Sequence, residues 1–426
     1  RYAQINSLTV SVIGLGCNNF GRALDPDGTR SVVDAAIEQG VTFFDTSDNY
    51  GEGRSESYLA AALGDRRDDV VIASKFGQSF PQVEGSGGAR PEYIRAAIER
   101  SLRQLDTDRI DLYQMHWPDP ETPIADTIGT MAELVAEGKV IEIGCCNLDA
   151  EQLSEAIAAS ESAGLPLFVS DQVQYSMLHR DPERNGLADM CDAQGVSLLP
   201  YYPLACGMLT GKVERGSKPT GRLAMDRYAH YLTDENFDVV ERLAGFAAAR
   251  GVTMAQVAIG WLLARPDVPA ITPGATSAAQ VIENASAADW LPTTDDLEEL
   301  DATLGRSHDR LGRHDPEHLL LADRDDLARR RGRRRRRRAS WAPWAWPQDP
   351  SGSKCSRPDA SESRRYRRPA PCSGWLCSGP SIDHTGPRAR RARHPPGRGG
   401  ADPRRPGRPL RRDMLCMRLP WGRGRV

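Results

Sequence analysis

Four short stretches of this chain each deliver a reactive side chain just past a hydrophobic run. Asp45 and Tyr50 close the stretch Val41 to Gly51, Lys75 closes Val70 to Lys75, His116 follows Ile110 to Met115, and Asn147 ends Ile141 to Asn147. A carboxylate, a phenol, an ammonium and an imidazole are the parts of a proton-transfer site. A phenol has an ordinary pKa of about 10 and must be lowered to act as an acid near neutrality. A neighbouring ammonium stabilises the phenolate, and a carboxylate holds that ammonium in place. An imidazole can then hydrogen-bond a carbonyl and orient it. Each residue alone also has a structural role open to it. Asp45 can cap a turn, Tyr50 can pack a loop, and His116 can sit satisfied on a rim. Lys75 is harder to set aside, because an unpaired ammonium at the end of a buried strand costs several kcal/mol. The four together, in this order, point to chemistry.

Something must bring them to one place. From Leu8 to about Ser286, apolar strand-like runs alternate with helical patterns. The expected strands are Val10–Ile13, Thr42–Asp45, Val70–Ser74, Ile110–Met115, Val140–Gly144, Phe168–Gln172, Ser197–Pro200 and Ala270–Thr272. Segments such as Pro91–Leu105, Thr122–Gly138 and Ala150–Ala163 carry helical periodicity, with Pro91 suited to a first helical position and Gly138 and Gly164 to helix ends. Continuous apolar strands alternating with helices mean a parallel sheet buried on both faces. Eight such units predict a closed (β/α)8 barrel, whose strand C-terminal ends converge on one face. The rival is an open doubly wound sheet. Its dinucleotide fingerprint starts well at Gly14 and Gly16 but has Asn19 where a third glycine is required, so this stretch reads as a close strand-to-loop turn.

Bulk charge divides the 426 residues in two. Residues 1–320 carry 26 Lys and Arg against 49 Asp and Glu, and residues 321–426 carry 29 against 9. The acidic part, residues 1–310 by domain boundary, has no attraction for nucleic acid or an anionic membrane. Its cysteines, Cys17, Cys145, Cys146, Cys191 and Cys206, are odd in number and irregular in spacing. They read as small buried residues of a reducing, cytoplasmic compartment rather than as a disulfide framework or a metal site. No apolar run approaches a membrane span and no secretory segment opens the chain, which begins at Arg1 as though truncated. Residues 311–426 hold an arginine run at 329–338, one Ile, one Val and no Phe. That low-complexity basic tail is expected to be disordered, or to be out-of-frame translation of a GC-rich gene. His314 and His318, separated by Pro316, and Cys372 with Cys377 are not expected to bind metal.

Over residues 2–305 the sequence resembles the aldo-keto reductase superfamily of NAD(P)H-dependent (β/α)8 barrels. The likeness is carried by Gly14, Gly16, Phe20 and Gly21, then by Asp45 to Gly51, Ser74 and Lys75, His116 to Asp119, and Asn147. It continues through Gln172 to Ser176, Tyr201 to Leu204, Gly207, Leu209 to Gly211, Pro273 to Ser277, Gln280, Glu283 and Asn284. The resemblance implies reversible reduction of an aldehyde or ketone, with Tyr50 as proton donor, Lys75 and Asp45 tuning it, and His116 holding the carbonyl. It assigns the nicotinamide carboxamide to Asn147 and Gln172 and its ring face to Tyr201. It gives the pyrophosphate to the backbone of Leu204 and Gly207, and the adenosine phosphate to Gly274, Thr276 and Ser277. Gln280 and Asn284 would flank the adenine. Tyr202 stands where Ser is usual, and the family's Lys near Gly274 and Arg near Gln280 are absent. NADP(H) is therefore the family expectation, with NAD(H) open, and no metal is implied. Substrate choice is assigned to the loop after His116, to residues 205–231 and to the C-terminal segment. Two other functions stay open: a cofactor-binding regulatory or sensing barrel with little turnover, and a nucleic-acid-associated protein acting through the basic tail.

Overall fold

The computed structural model describes residues 1–79, 83 and 85–305. The basic tail and the His314, His318, Cys372 and Cys377 positions lie outside the described residues. The chain opens on an antiparallel hairpin, β1 (Tyr2–Ile5) and β2 (Leu8–Ser11). Seven parallel strands follow in sequence order around one sheet. They are β3 (Leu15–Gly16), β4 (Phe43–Asp45), β5 (Val71–Phe76), β6 (Ile110–Met115), β7 (Val140–Cys146), β8 (Ser170–Gln174) and β9 (Ser197–Tyr201). Residues 267–274 close the ring. On one side Ile271 N donates to Val12 O at 3.0 Å and Gly14 N to Ile271 O at 2.7 Å; on the other, Leu198 N donates to Asp267 O at 2.7 Å. The fold is the expected (β/α)8 barrel.

Its first and last strands differ from expectation. Leu8–Ser11 belongs to the hairpin, because Asn6 takes a positive φ of 47° and turns the chain back on Tyr2–Ile5. The first barrel strand is instead the short Leu15–Gly16. Here the glycine has a steric reason, since a Cβ on Gly16 would stand 2.8 Å from the Thr272 carbonyl oxygen. The eighth position, expected as a strand over Ala270–Thr272, consists of single bridges from Ile13 to Ile271 and from Gly16 to Gly274.

The hairpin seals one end of the barrel. Ile5, Leu8 and Val10 bury against the inward-facing Phe43, Ala73, Leu112, Leu199 and Ala270. Strand side chains on the opposite face meet the helices: α1 (Pro26–Glu38), α2 (Ser55–Leu63), α3 (Pro91–Gln104), α4 (Ile124–Ala136) and α5 (Ala150–Ala163). Pro91 opens α3, and Gly164 ends α5 in the left-handed conformation, at φ 64°. Beyond β8 come α6 (Asp181–Arg184), α7 (Leu187–Gln194), α8 (Asp234–Arg250), α9 (Met254–Leu263), α10 (Ala278–Ser286) and α11 (Thr294–Leu304). A buried ion pair ties the end of α11 back to the barrel. Arg180 Nη2 lies 2.6 Å from Glu183 Oε2, Arg180 Nη1 donates to Gly305 O at 2.9 Å, and Tyr175 OH donates to Glu183 Oε1 at 2.6 Å. Among the described residues no single helix is long and apolar enough to cross a membrane.

The sealed end generates a stability contrast. Leu112 is fully buried in the hairpin cluster, whereas Ile282 on α10 is 48% exposed. Denaturant unfolding should show Leu112→Ala losing about 2–5 kcal/mol and Ile282→Ala within about 0.5 kcal/mol of the parent. Equal losses would show that the cluster does not hold the barrel end.

Candidate active site

The strand register sets the centre of the opposite end. Asp45 ends β4 and Lys75 stands near the end of β5, so both project where the parallel strands finish. Lys75 Nζ is fully buried and donates to Asp45 Oδ1 at 2.7 Å and to Thr46 O at 2.9 Å. Asp45 Oδ1 also accepts from Gln172 Nε2, from β8, at 3.1 Å. Tyr50 follows in a tight turn. Gly51 there has φ 59°, and a Cβ on it would fall 2.1 Å from the Phe20 carbonyl oxygen, so only glycine lets these two backbones touch. The turn places the Tyr50 ring 5.1 Å from Lys75 Nζ and edge-on to the His116 ring, with centroids 5.8 Å apart. His116 itself leaves the end of β6, with Nδ1 3.2 Å from Ser47 Oγ.

Burial decides the protonation states. It would pull the Lys75 ammonium down, but Asp45 and Tyr50 outweigh it and hold the group above its ordinary value. Burial, then the Lys75 charge, pull His116 down to about 3, so the imidazole is neutral. Burial pushes the Tyr50 phenol up to about 12, with Lys75 pulling against it. This last result departs from expectation. The ammonium does favour ionisation of the phenol, yet withdrawal from water is the larger effect here, and the phenol stays protonated throughout the neutral range.

A second group of the expected residues gathers beside the first. Tyr201 OH donates to Asn147 Oδ1 at 2.9 Å, and Asn147 Nδ2 donates to the His116 carbonyl at 3.0 Å. Asn147 takes a positive φ of 61°, a conformation asparagine tolerates better than most residues. Gln172 is committed to Asp45 and so joins the first group. Past β9, Gly207 has φ 111° and donates its N–H to Leu204 O at 2.9 Å. Gly274, Thr276 and Ser277 lead into α10, where Ser277 caps the helix by accepting from Gln280 N at 3.3 Å. Gln280 folds back, its Oε1 accepting from Thr276 N at 2.7 Å, and Asn284 is largely buried on α10.

Three residues not foreseen from the sequence stand at this phosphate-sized turn. Arg222 Nη2 donates to Asn18 Oδ1 at 2.5 Å and lies 4.0 Å from where a Gly274 side chain would begin. Asn19 Nδ2 donates to Ala275 O at 3.0 Å. The Arg222 guanidinium lies over the Tyr202 ring, 5.3 Å from its centroid, and the Tyr202 and Tyr228 hydroxyls are 2.9 Å apart. Tyr202 therefore packs against a cation that reaches the Gly274 turn. Arg222 sits in a single 3-10 turn, Gly221–Ala224, 204 residues from Asn18, and only the fold joins them. A guanidinium, an amide donor, a bare glycine and a helix N-terminus together suit an anionic phosphate.

The chain is similar to known proteins over most of its described length. The model of the aldo/keto reductase family matches residues 12–304. A probable voltage-gated potassium channel subunit beta of Arabidopsis thaliana is 32% identical over 296 residues, 67% of this chain and 90% of that protein. L-glyceraldehyde 3-phosphate reductase of Escherichia coli strain K12 is 30% identical over 316 residues, 71% of this chain and 91% of that protein. The crystal structure of the thermostable aldo-keto reductase Tm1743, in complex with the inhibitor epalrestat, superposes with a TM-score of 0.59 at 31% identity, over 72% of this chain and all of that one. From the first barrel strand to the last described helix, the chain belongs to the aldo/keto reductase family, whose oxidoreductases reduce carbonyl compounds and generally use NAD(P)H.

Proposed function

We propose that the protein reduces a small aldehyde or ketone to its alcohol, reversibly, with NADP(H) as cofactor and Tyr50 as general acid. One observation carries the reading: a fully buried ammonium, Lys75, neutralised by Asp45 at 2.7 Å, faces a phenol whose ring centre is 5.1 Å away. The substrate carbonyl oxygen sits between the Tyr50 hydroxyl and the neutral His116 ring. When bound, a reduced nicotinamide would supply the hydride. Tyr50 gives its proton to the oxygen as negative charge grows there, and Lys75 stabilises the phenolate left behind. Asp45 keeps Lys75 charged and fixed, so little reorganisation is needed during transfer. Asn147, Gln172 and Tyr201 would hold the nicotinamide end, while Leu204 and Gly207 would line the pyrophosphate. Gly274, Thr276, Ser277, Gln280 and Asn284 would receive the adenosine end. Arg222 supplies the charge for a 2'-phosphate, and this favours NADP(H) over NAD(H).

A sensing barrel is the second reading, favoured by the likeness to a potassium channel beta subunit. Such a protein would bind cofactor and turn over slowly. Replacing Tyr50 by Phe removes the phenolic hydroxyl and keeps the ring. It should lower kcat for aldehyde reduction about 10²- to 10⁴-fold, with cofactor affinity from fluorescence titration little changed. Near-parental turnover in that variant would remove Tyr50 as the acid. Parental protein that binds cofactor but oxidises none with any carbonyl would leave the sensing reading standing.

The pH dependence follows from the same groups. Reduction consumes a protonated phenol, and Tyr50 remains protonated until the pH nears about 12. His116, pulled to about 3, is already neutral at pH 5. The kcat/KM for reduction should therefore be level from pH 6 to 9; an inflection near an ordinary histidine value would contradict a neutral His116. For the cofactor, Arg222→Leu should weaken NADPH binding about tenfold or more, the worth of one charge-assisted hydrogen bond, and leave NADH within a factor of about two. Equal losses for both would assign Arg222 a structural role alone.

A further inference from the structure

His116 can give a hydrogen bond to a carbonyl oxygen only from a protonated ring nitrogen. A neutral imidazole has one such nitrogen, and the partner of the other nitrogen decides which it is. Here the partner of Nδ1 is Ser47 Oγ, 3.2 Å away on a fully buried side chain. That hydroxyl has one proton and three neighbours that can take it. Besides His116, Asn49 Oδ1 is at 2.8 Å and Asp48 Oδ1 at 3.4 Å. Asp48 Oδ1 is the poorest claimant, because it is the farthest of the three from Ser47 Oγ; the other oxygen of the carboxylate, Oδ2, accepts from Arg100 Nη2 at 2.7 Å and from Tyr93 OH at 3.1 Å.

The contest lies between Asn49 and His116, and the next amide settles it. The Asn49 amide is itself 2.6 Å from the Gln78 amide. Each amide can exchange its oxygen and nitrogen by a half-turn at nearly unchanged distances. With both turned, Gln78 Nε2 donates to Asn49 Oδ1, Asn49 Nδ2 donates to Ser47 Oγ, and the serine proton is left for His116 Nδ1. The ring then carries its proton on Nε2. With neither turned, the serine proton goes to Asn49 and His116 must donate from Nδ1. A bare Nε2 lone pair would then meet the carbonyl oxygen, which it repels. The inward chain of donors satisfies every member and leaves the catalytic nitrogen protonated.

We propose that Ser47 is a positioning residue that donates its hydroxyl proton to His116 Nδ1 and thereby fixes the neutral imidazole as the Nε2–H tautomer. The purpose of that tautomer rests on the carbonyl-reductase reading above, but its existence is measurable without turnover. The test uses the full chain labelled with ¹⁵N-histidine, followed by two-bond ¹H–¹⁵N correlation at pH 7. The chain has eight histidines, and loss of one signal set in His116→Gln assigns the ring. The parent should show an unprotonated Nδ1 and a protonated Nε2. Ser47→Ala should shift both nitrogens toward averaged or inverted values, and Ser47→Thr, which keeps the hydroxyl, should restore them. In parallel, kcat for a carbonyl substrate should fall about tenfold in Ser47→Ala, the scale of a weakened oxyanion donor, with cofactor affinity unchanged and recovery in Ser47→Thr. A parental ring protonated on Nδ1, or an unchanged pattern in Ser47→Ala, would overturn the proposal. The expected tautomers in a protein that reduces no carbonyl would uphold Ser47 and refute the reductase reading instead.

Discussion

An ammonium buried out of reach of water is the constraint around which this barrel is arranged. Lys75 has no exposed side-chain surface, and an uncompensated ion in that position costs several kcal/mol. The cost is met by one carboxylate and one carbonyl, both supplied from the neighbouring strand and its exit. Asp45 in turn needs its remaining lone pairs satisfied, and Gln172 reaches across from β8 to do so. Strands that are far apart in sequence are thus held to one register by a single charge. The same charge favours ionisation of the Tyr50 phenol beside it and opposes protonation of His116.

The barrel divides its labour between its ends. At one end the β1–β2 hairpin packs apolar side chains into the opening and contributes only cohesion. At the other, hydrogen-bonded polar groups accumulate at the strand ends: Asp45, Lys75, Asn147 and Gln172, with His116 and Tyr201 beside them. A carboxamide pair, Asn147 and Gln172, links the proton-transfer group to the side where Tyr201 and the Gly274 turn lie.

Much of this was legible in the sequence, for a physical reason. A buried parallel strand must be apolar along its length, so a charged residue at its end stands out, and Asp45, Lys75 and His116 did. Periodicity likewise exposed α3 and α5 to within a residue. What stayed hidden depends on contacts with no local signature. Leu8–Ser11 and Leu15–Gly16 are both short and apolar, and only the Asn6 turn and the crowding at Gly16 decide which enters the barrel. The Arg222, Tyr202 and Asn18 cluster joins loops whose composition carries no period. The direction of the Tyr50 shift was also out of reach, since burial and the ammonium oppose each other and residue types alone do not weigh them.

Gly51 touching the Phe20 carbonyl bears on how such a protein can diversify. The position of Tyr50 is set by two backbones in contact, leaving no side chain whose replacement would move it gradually. Variation at the exposed Trp117 and in the loops around it leaves that contact untouched. The Tyr50 ring and the loops around Trp117 are in this way free to change independently: the first is fixed by main chain, the second by side chains at the surface.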